Sequence, residues 1–162
     1  MKIEVKNLLN QPEGSTENYP LEITALPIDE AKAQITGQAV LTHLDEFILA
    51  QIKGDAHIIQ PCSRCLKEVI LTIPLNFSRE FKTEIPSPAQ NNENIDEEAY
   101  PIEDGQMDLD PVLTEEIIAS IPLRVLCQKD CQGLCPKCGA NLNDNPCKCD
   151  KVKFEIHNKI NL

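Results

Sequence analysis

The chain of 162 residues is acidic, with a formal net charge of −11, and contains eight cysteines, twelve prolines and no tryptophan. This length suits one domain, or one domain with a small appendage, and is enough to bury a hydrophobic core. No apolar run approaches the roughly 18 residues that a membrane-spanning helix needs, so no such helix is expected.

The acidic charge is concentrated in the middle of the sequence. Residues 84–116 contain eleven acidic residues and no basic one. Residues 1–83 contain eleven acidic and eight basic residues, and residues 117–162 contain four acidic and seven basic residues. The carboxy-terminal part is therefore mildly basic. Because clustered Lys and Arg are needed to contact phosphates, we expect any contact with nucleic acid to be local and to lie there.

Alternating apolar and polar residues predict a sheet in the first half of the chain. Residues 1–30 are consistent with two short strands or with a strand and a turn. Apolar residues then alternate with polar ones in three longer runs, at Ala33–Leu41, Ile48–Ile58 and Val69–Phe77. This period of two is that of half-buried strands, so we predict an antiparallel meander, with Gly54 at a β-bulge.

The second half begins with a segment, residues 83–105, that is rich in prolines, amides and acids and has almost no apolar periodicity, which predicts an acidic flexible loop. Asp110 and Pro111 then predict the start of a helix that ends at Pro122, since an acid at the cap and a proline at the first position favour initiation. Its apolar residues predict that it packs on the sheet. Weak alternation in residues 151–162 predicts a last strand.

Six of the eight cysteines lie between residues 127 and 149. At the centre of this stretch, Cys135-Pro-Lys-Cys138-Gly139 has the form of a zinc knuckle, in which two thiolates three residues apart converge on one ion. The nearest remaining pair, Cys147 and Cys149, completes four ligands with the spacing Cys-x2-Cys-x8-Cys-x-Cys. We therefore predict a zinc site in this tail.

The four other cysteines form two pairs. Cys62 and Cys65 lie in another knuckle-like turn, between two predicted strands, and Cys127 and Cys131 precede the tail site. We predict that these four bind a second zinc ion, which would close a loop of about sixty residues and stabilise the fold by a few kcal/mol.

Disulfides, an iron–sulfur cluster and reactive thiols are the alternatives. The charged start, Met1-Lys-Ile-Glu-Val-Lys6, lacks the apolar core of a secretory signal, so we expect the protein in the reducing cytoplasm, where disulfides are rare. An iron–sulfur cluster also takes four thiolates, but paired cysteines flanked by Pro and Gly are commoner at zinc sites.

No catalytic constellation is present in the sequence. His43, His57 and His157 match no catalytic motif, and the adjacent acids of the middle segment are more often solvated than held at a catalytic separation. We expect neither an enzyme nor a small-molecule substrate.

The predicted fold class is thus α+β: mainly an antiparallel β meander with one packed helix and a C-terminal zinc-knuckle tail. The predicted domains are a β-rich core, residues 1–126, and a cysteine-rich metal-binding tail, residues 127–162, packed on the core.

Three motifs connect this sequence to a known family: Cys62-Ser-Arg-Cys65-Leu66, the helix from Asp108-Leu-Asp110 to Ile121-Pro-Leu123, and the tail Cys131-Gln-Gly-Leu-Cys135-Pro-Lys-Cys138-Gly-Ala-Asn-Leu142. With them, the chain resembles the bacterial YceD-type family, the large ribosomal RNA subunit accumulation proteins, over nearly its whole length. The resemblance implies a non-enzymatic factor that supports accumulation of 23S ribosomal RNA and assembly of the large ribosomal subunit.

The candidate partners are the large-subunit ribosomal RNA precursor and a basic ribosomal protein that would engage the acidic loop. Candidate RNA contacts are the lysines around the tail, which could equally form a solvated face: Lys129, Lys137, Lys148, Lys151 and Lys153. Two other classes stay open from the sequence: a zinc-ribbon interaction module in transcription or signalling, and a redox or metal-handling protein.

Overall fold

The computed structural model describes residues 1–29, 31–83, 99–144 and 147–149. The predicted last strand at residues 151–162 lies outside this part of the chain. The described residues form the following strands and helices: β1 (Lys2–Glu4), α1 (Lys6–Leu9), β2 (Thr16–Ile28), β3 (Ala31–Leu44), β4 (Phe47–Pro61), β5 (Glu68–Lys82), β6 (Tyr100–Glu103), β7 (Gln106–Asp108) and α2 (Asp110–Ser120).

The strands form one sheet in the order β1-β7-β6-β5-β4-β3-β2. The pairs β2–β3, β3–β4, β6–β7 and β1–β7 are antiparallel, but β6 runs parallel to β5, with Phe81 opposite Tyr100. The fold is mostly β with a short packed helix, as predicted, but the prediction of an antiparallel meander is wrong for the sheet as a whole, which is mixed. A parallel neighbour requires a crossover of about a dozen residues or more, and the long connection between β5 and β6 provides it.

The predicted loop over residues 83–105 needs a correction at its end. Tyr100–Glu103 forms β6, and Asp104 and Gly105 make the turn into β7, with φ angles of 53° and 74°. The rest of that prediction falls largely on residues 84–98, which lie outside the described part of the chain. β6 was missed because four residues are too few to show a period of two.

A pair of facing glycines sets the distance between β3 and β4. Gly37 lies opposite Gly54 in a register that is regular from Ala33↔Ile58 to Leu44↔Phe47, so the bulge predicted at Gly54 does not occur in the pairing with β3. A Cβ atom at Gly54 would lie 2.3 Å from the carbonyl oxygen of Thr36, and one at Gly37 equally close to that of Lys53. The glycines permit this close approach. The register shifts instead between β2 and β3, at Ile23/Leu26.

The core lies on one face of the sheet. Alternate residues of β3 and β4 are buried, as their period of two predicts. The helix α2 packs against β2, and its buried residues are Val112, Leu113 and Ile117. Ile118, which the sequence places among the apolar residues of this helix, is 42% exposed. The helix starts where the Asp108 carboxylate accepts a hydrogen bond of 3.1 Å from the amide of Asp110. Of the described helices, none has the length and apolarity to span a membrane.

The chain divides into two compact units. The first unit comprises residues 1–60 and 70–122 and contains the hydrophobic core of the sheet. The second unit comprises residues 61–69 and 123–162. A short segment between β4 and β5 thus belongs to the same unit as the carboxy-terminal stretch, and the second unit contains all eight cysteines.

Candidate metal centres

The eight cysteines form two groups of four in the second unit. In the first cluster (Cys62, Cys65, Cys127 and Cys131) and in the second cluster (Cys135, Cys138, Cys147 and Cys149), the four Sγ atoms lie within 4.8 Å of one another. These are the two sets that the spacing predicts. Each cluster could hold a metal ion.

The sulfur separations in the first cluster fit one tetrahedral ion. Sγ of Cys62 lies 3.8 Å from Sγ of Cys131, and Sγ of Cys65 lies 3.5 Å from Sγ of Cys127. A tetrahedron with metal–sulfur bonds of about 2.3 Å places its sulfurs about 3.8 Å apart, whereas a disulfide needs about 2.05 Å. All eight cysteines are free thiols. The donor set therefore suits a single thiophilic ion in each cluster.

The first cluster is built on a tight turn between β4 and β5, which we call the first knuckle (residues 62–67). The amide of Leu66 donates to the carbonyl of Cys62 at 2.9 Å, and the amide of Cys62 donates to the carbonyl of Lys67 at 2.8 Å. These two bonds fold the chain so that Cys62 and Cys65 are presented to the same point.

The segment after α2 is tied to the first knuckle by three further hydrogen bonds. The amide of Ser63 donates to the carbonyl of Val125 at 2.8 Å, and the amide of Val125 donates to Oγ of Ser63 at 3.1 Å. The guanidinium of Arg64 donates to the carbonyl of Cys131 at 2.7 Å. Ser63 and Arg64 of the knuckle therefore hold the segment that contains Cys127 and Cys131.

The second cluster is built on a turn of the same design, the second knuckle (residues 135–140). The amide of Gly139 donates to the carbonyl of Cys135 at 2.8 Å, and the amide of Cys135 donates to the carbonyl of Ala140 at 2.8 Å. Both bonds join residues at the same spacing as in the first knuckle. The fifth residue of each turn is left-handed, with φ 61° at Leu66 and 72° at Gly139.

Short backbone contacts frame the second knuckle. Leu134 and Asn141 form an isolated antiparallel bridge, and the amide of Leu142 donates to the carbonyl of Gly133 at 2.9 Å. Gly133 is left-handed, with φ 76°, and a Cβ atom there would lie 3.0 Å from the carbonyl oxygen of Arg64. Glycine is thus required where the chain passes close to the first knuckle.

Asn143 connects the two clusters through a hydrogen bond of its side chain. It lies between the ligands Cys138 and Cys147 of the second cluster, yet its side-chain amide donates to Sγ of Cys131, in the first cluster, at 3.4 Å. Its Oδ1 accepts from the amide of Gln132 at 2.8 Å. A donor of this kind orients the sulfur of Cys131 and holds it in place.

The surroundings of the two clusters differ. Val69, Leu126 and Leu134 pack against the first cluster, in which Cys62 and Cys131 are 0% and 1% exposed. In the second cluster Cys135 is buried, but Cys138 is exposed and the other two cysteines are half-buried. The first cluster is therefore a small core, and the second lies at the surface.

Backbone amides favour the thiolate form of the first cysteine in each knuckle. At Cys62 burial opposes ionisation, but amide donors, foremost that of Arg64, outweigh it and lower the pKa to about 6. At Cys135 the amides of Cys138 and Lys137 lower the pKa to about 6. Hydrogen bonding to the charged form is the physical cause in both turns.

One other thiol in each cluster resists ionisation. Burial, and then the neighbouring sulfurs, raise the pKa of Cys127 to about 12, and the thiol of Cys138 raises that of Cys149 to about 12. Four thiolates cannot be charged together at so short a distance unless a cation neutralises them. Each cluster could therefore accommodate a cation.

The lysines predicted to contact RNA are only partly described. Lys129, Lys137 and Lys148 are exposed in the second unit. Lys151 and Lys153 lie outside the described residues. Sequence reasoning missed Asn143, since nothing in its spacing marks it as a neighbour of Cys131. It also missed the equivalence of Leu66 and Gly139, which the common spacing from Cys62 and Cys135 could have indicated.

Comparisons with known proteins give the family. The profile of the family "Large ribosomal RNA subunit accumulation protein YceD" matches residues 50–158, more than half of the chain, a range that includes both clusters. An uncharacterized protein of Mycobacterium tuberculosis strain H37Rv is 28% identical over 103 residues, covering 64% of this chain and 49% of the relative. An uncharacterized protein of Mycobacterium leprae is 26% identical over 103 residues, covering 64% and 46%. The chain thus spans about half the length of these mycobacterial relatives.

A plant relative has an informative name. The protein "Large ribosomal RNA subunit accumulation protein YCED homolog 1, chloroplastic" of Arabidopsis thaliana is 33% identical over 52 residues, covering 32% of this chain and 16% of the relative. No solved structure matches the chain. On the strength of the profile match, the chain belongs to the YceD family of large ribosomal RNA subunit accumulation proteins.

Proposed function

We propose that this protein is a non-enzymatic factor that supports accumulation of 23S ribosomal RNA and thereby assembly of the large ribosomal subunit. The observation that carries the proposal is the family match over residues 50–158, which includes every cysteine of both clusters. The name of the plant relative points to the same process.

Each cluster binds one zinc ion in this proposal. Zinc prefers four tetrahedral sulfur or nitrogen ligands in structural sites, and catalytic sites keep one position open for water. Four cysteines per ion leave no such position, so the ions crosslink the second unit and do not activate a substrate. Eight cysteines that remain reduced suit a reducing compartment, so in this proposal the protein acts in the cytoplasm.

The partner in this proposal is the precursor of the large-subunit ribosomal RNA or a basic ribosomal protein bound to it. Lys129 and Lys148 are exposed near the clusters and offer charge to phosphates. The acidic residues at positions 96–98 would instead suit a basic protein. Binding to RNA would therefore require the lysines, whereas binding to a basic protein would require the acidic residues.

Co-sedimentation of the tagged protein with large-subunit precursors, combined with crosslinking in cells, tests the proposal. If RNA is the partner, replacing Lys148, Lys151 and Lys153 by glutamate weakens the association and flattens its salt dependence, because fewer counterions are released. If a basic protein is the partner, neutralising the acids at 96–98 is the damaging change. Both variants keep their zinc, because none of these residues is a ligand. Absence of the wild-type protein from precursor fractions would contradict the proposed function.

A further inference from the structure

Two leucines of the second unit lie in solvent. Leu66, in the first knuckle, is 65% exposed, and Leu123, just after α2, is 108% exposed. Lys67 follows the first and Arg124 follows the second, and both of these cations are exposed. The hydrogen-bonded pair of Ser63 and Val125 joins the two short segments to which these four residues belong.

Leu66 is unusual in its backbone as well as in its exposure. Its φ of 61° lies in the left-handed region, and the equivalent residue of the second knuckle is Gly139. A side chain at this position costs conformational free energy that glycine would avoid. Packing does not offset that cost, since most of the Leu66 side chain is in water. The combination of strain and exposure at Leu66 leads to the hypothesis of a contact made outside the chain.

The charge around the two leucines identifies the kind of contact. The segments 61–69 and 123–129 contain one acid, Glu68, and four cations: Arg64, Lys67, Arg124 and Lys129. None of the ion pairs between described residues involves Lys67 or Arg124. A second copy of this chain is a poor occupant, because a symmetric contact would bring like charges together. The surface suits an anionic partner that also offers apolar faces.

We propose that Leu66, Lys67, Leu123 and Arg124 form a contact surface for unpaired RNA, which we call the first-knuckle surface. This proposal rests on the proposed function. The cations contact phosphates, and the leucine side chains pack against the faces of unstacked bases, as apolar wedges do at other nucleic acids. The described residues of the second unit contain no aromatic side chain, so leucine and guanidinium groups are the available base-packing surfaces there.

Leu66→Gly is the central test, because glycine fits the left-handed backbone of the first knuckle and removes only the exposed side chain. The assay titrates zinc-loaded, full-length protein with an unstructured single-stranded RNA oligonucleotide and with the matching duplex. We expect tighter binding of the single strand, and affinity for it roughly tenfold lower in Leu66→Gly and in Leu123→Ser. Ile118→Ser, which alters an exposed apolar residue of the first unit, serves as the matched control and binds as the wild type does.

The double variant Lys67→Ala/Arg124→Ala tests the charged half of the surface. A plot of log affinity against log salt concentration has a negative slope. Loss of two phosphate contacts makes that slope shallower by about 1.4 for a single strand. Thermal melting and zinc content are measured for every variant. Lower stability or lost zinc in Leu66→Gly would make Leu66 a structural residue and overturn the proposal.

Two further outcomes overturn the proposal and leave the proposed function standing. One is wild-type affinity of both leucine variants for the oligonucleotide. The other is that the leucine variants lose their association with large-subunit precursors in cells but bind the oligonucleotide as the wild type does. That result would identify the surface as a contact for an acidic protein segment. Failure of the proposed function itself is recognised separately, by the absence of the wild-type protein from precursor fractions.

Discussion

The two knuckles have the same turn but join different parts of the chain. Each closes with the same pair of backbone hydrogen bonds and ends in a left-handed residue. The second knuckle finds its remaining ligands within the same tail, at Cys147 and Cys149, whereas the first finds them at Cys127 and Cys131, after the rest of the sheet and α2. One local design thus supports a local site in one case and a long-range crosslink in the other.

Burial follows the same division. The first cluster is enclosed by its own apolar side chains, while Cys138 of the second is exposed. A crosslink between residues far apart in sequence removes much more chain entropy from the unfolded state than one within a short tail. The comparison teaches that the position of the partner cysteines, more than the turn itself, would decide how much an ion held at each cluster contributes to stability.

The largest effect that tests this comparison is expected from single ligand replacements. Cys62→Ser should lower the free energy of unfolding by a few kcal/mol, because it opens the long crosslink and leaves a polar group in a buried cluster. Cys135→Ser should disturb the tail and shift the main melting transition much less. Thermal melts together with elemental analysis measure both, and each variant should lose one of about two zinc ions per chain. Equal melting shifts would contradict the division.

A smaller effect is expected at Asn143, where the two clusters are coupled. Asn143→Asp keeps an oxygen that can accept from Gln132 but replaces the donor to Cys131 by a negative charge. We expect the metal affinity of the first cluster to fall about tenfold or more, although the residue lies between ligands of the second. Competition with a chelator, followed by the thiolate absorption bands of cobalt-loaded protein, measures the two sites.

Asp144→Asn is the matched control for that experiment. It retains an oxygen that can accept the hydrogen bond from Asn141, which measures 2.8 Å, and does not alter the contact with Cys131. Its metal affinities should equal those of the wild type. A loss confined to the second cluster in Asn143→Asp would show that the contact with Cys131 has no energetic role.

The smallest effect comes from exchanging the left-handed residues. Leu66→Gly should raise the free energy of unfolding by about 0.5 kcal/mol, because the strain of roughly 1–2 kcal/mol at a left-handed leucine exceeds the entropy cost of glycine, about 1 kcal/mol. Gly139→Leu should lower it by a similar amount. Denaturant titrations of the two variants measure the effect. A stabilised Gly139→Leu would show that the turns are not equivalent.

Much of this structure could be predicted from the sequence because its signals are periodic. The period of two placed β3, β4 and β5, and the pairing of nearby cysteines divided them into the two sets that the structure brings together. That period did not place β2, because residues 1–30 were expected to form only two short strands or a strand and a turn. The parallel strand β6 gave no such signal, since it is four residues long and lies in an acidic stretch. The role of Asn143 depends on hydrogen bonds that no spacing marks. The left-handed backbone of Leu66 could have been predicted, because Leu66 lies at the same spacing from Cys62 as Gly139 does from Cys135.

The facing glycines of β3 and β4 limit how this family member can vary. Any side chain at Gly37 or Gly54 would meet the backbone of the opposite strand, and backbone cannot move aside as a flexible side chain can. A change at one position is not rescued by a change at the other, because each already carries the smallest residue. Mutational tolerance across these central strands should therefore reach its minimum at Gly37 and Gly54, neither of which belongs to a cysteine cluster.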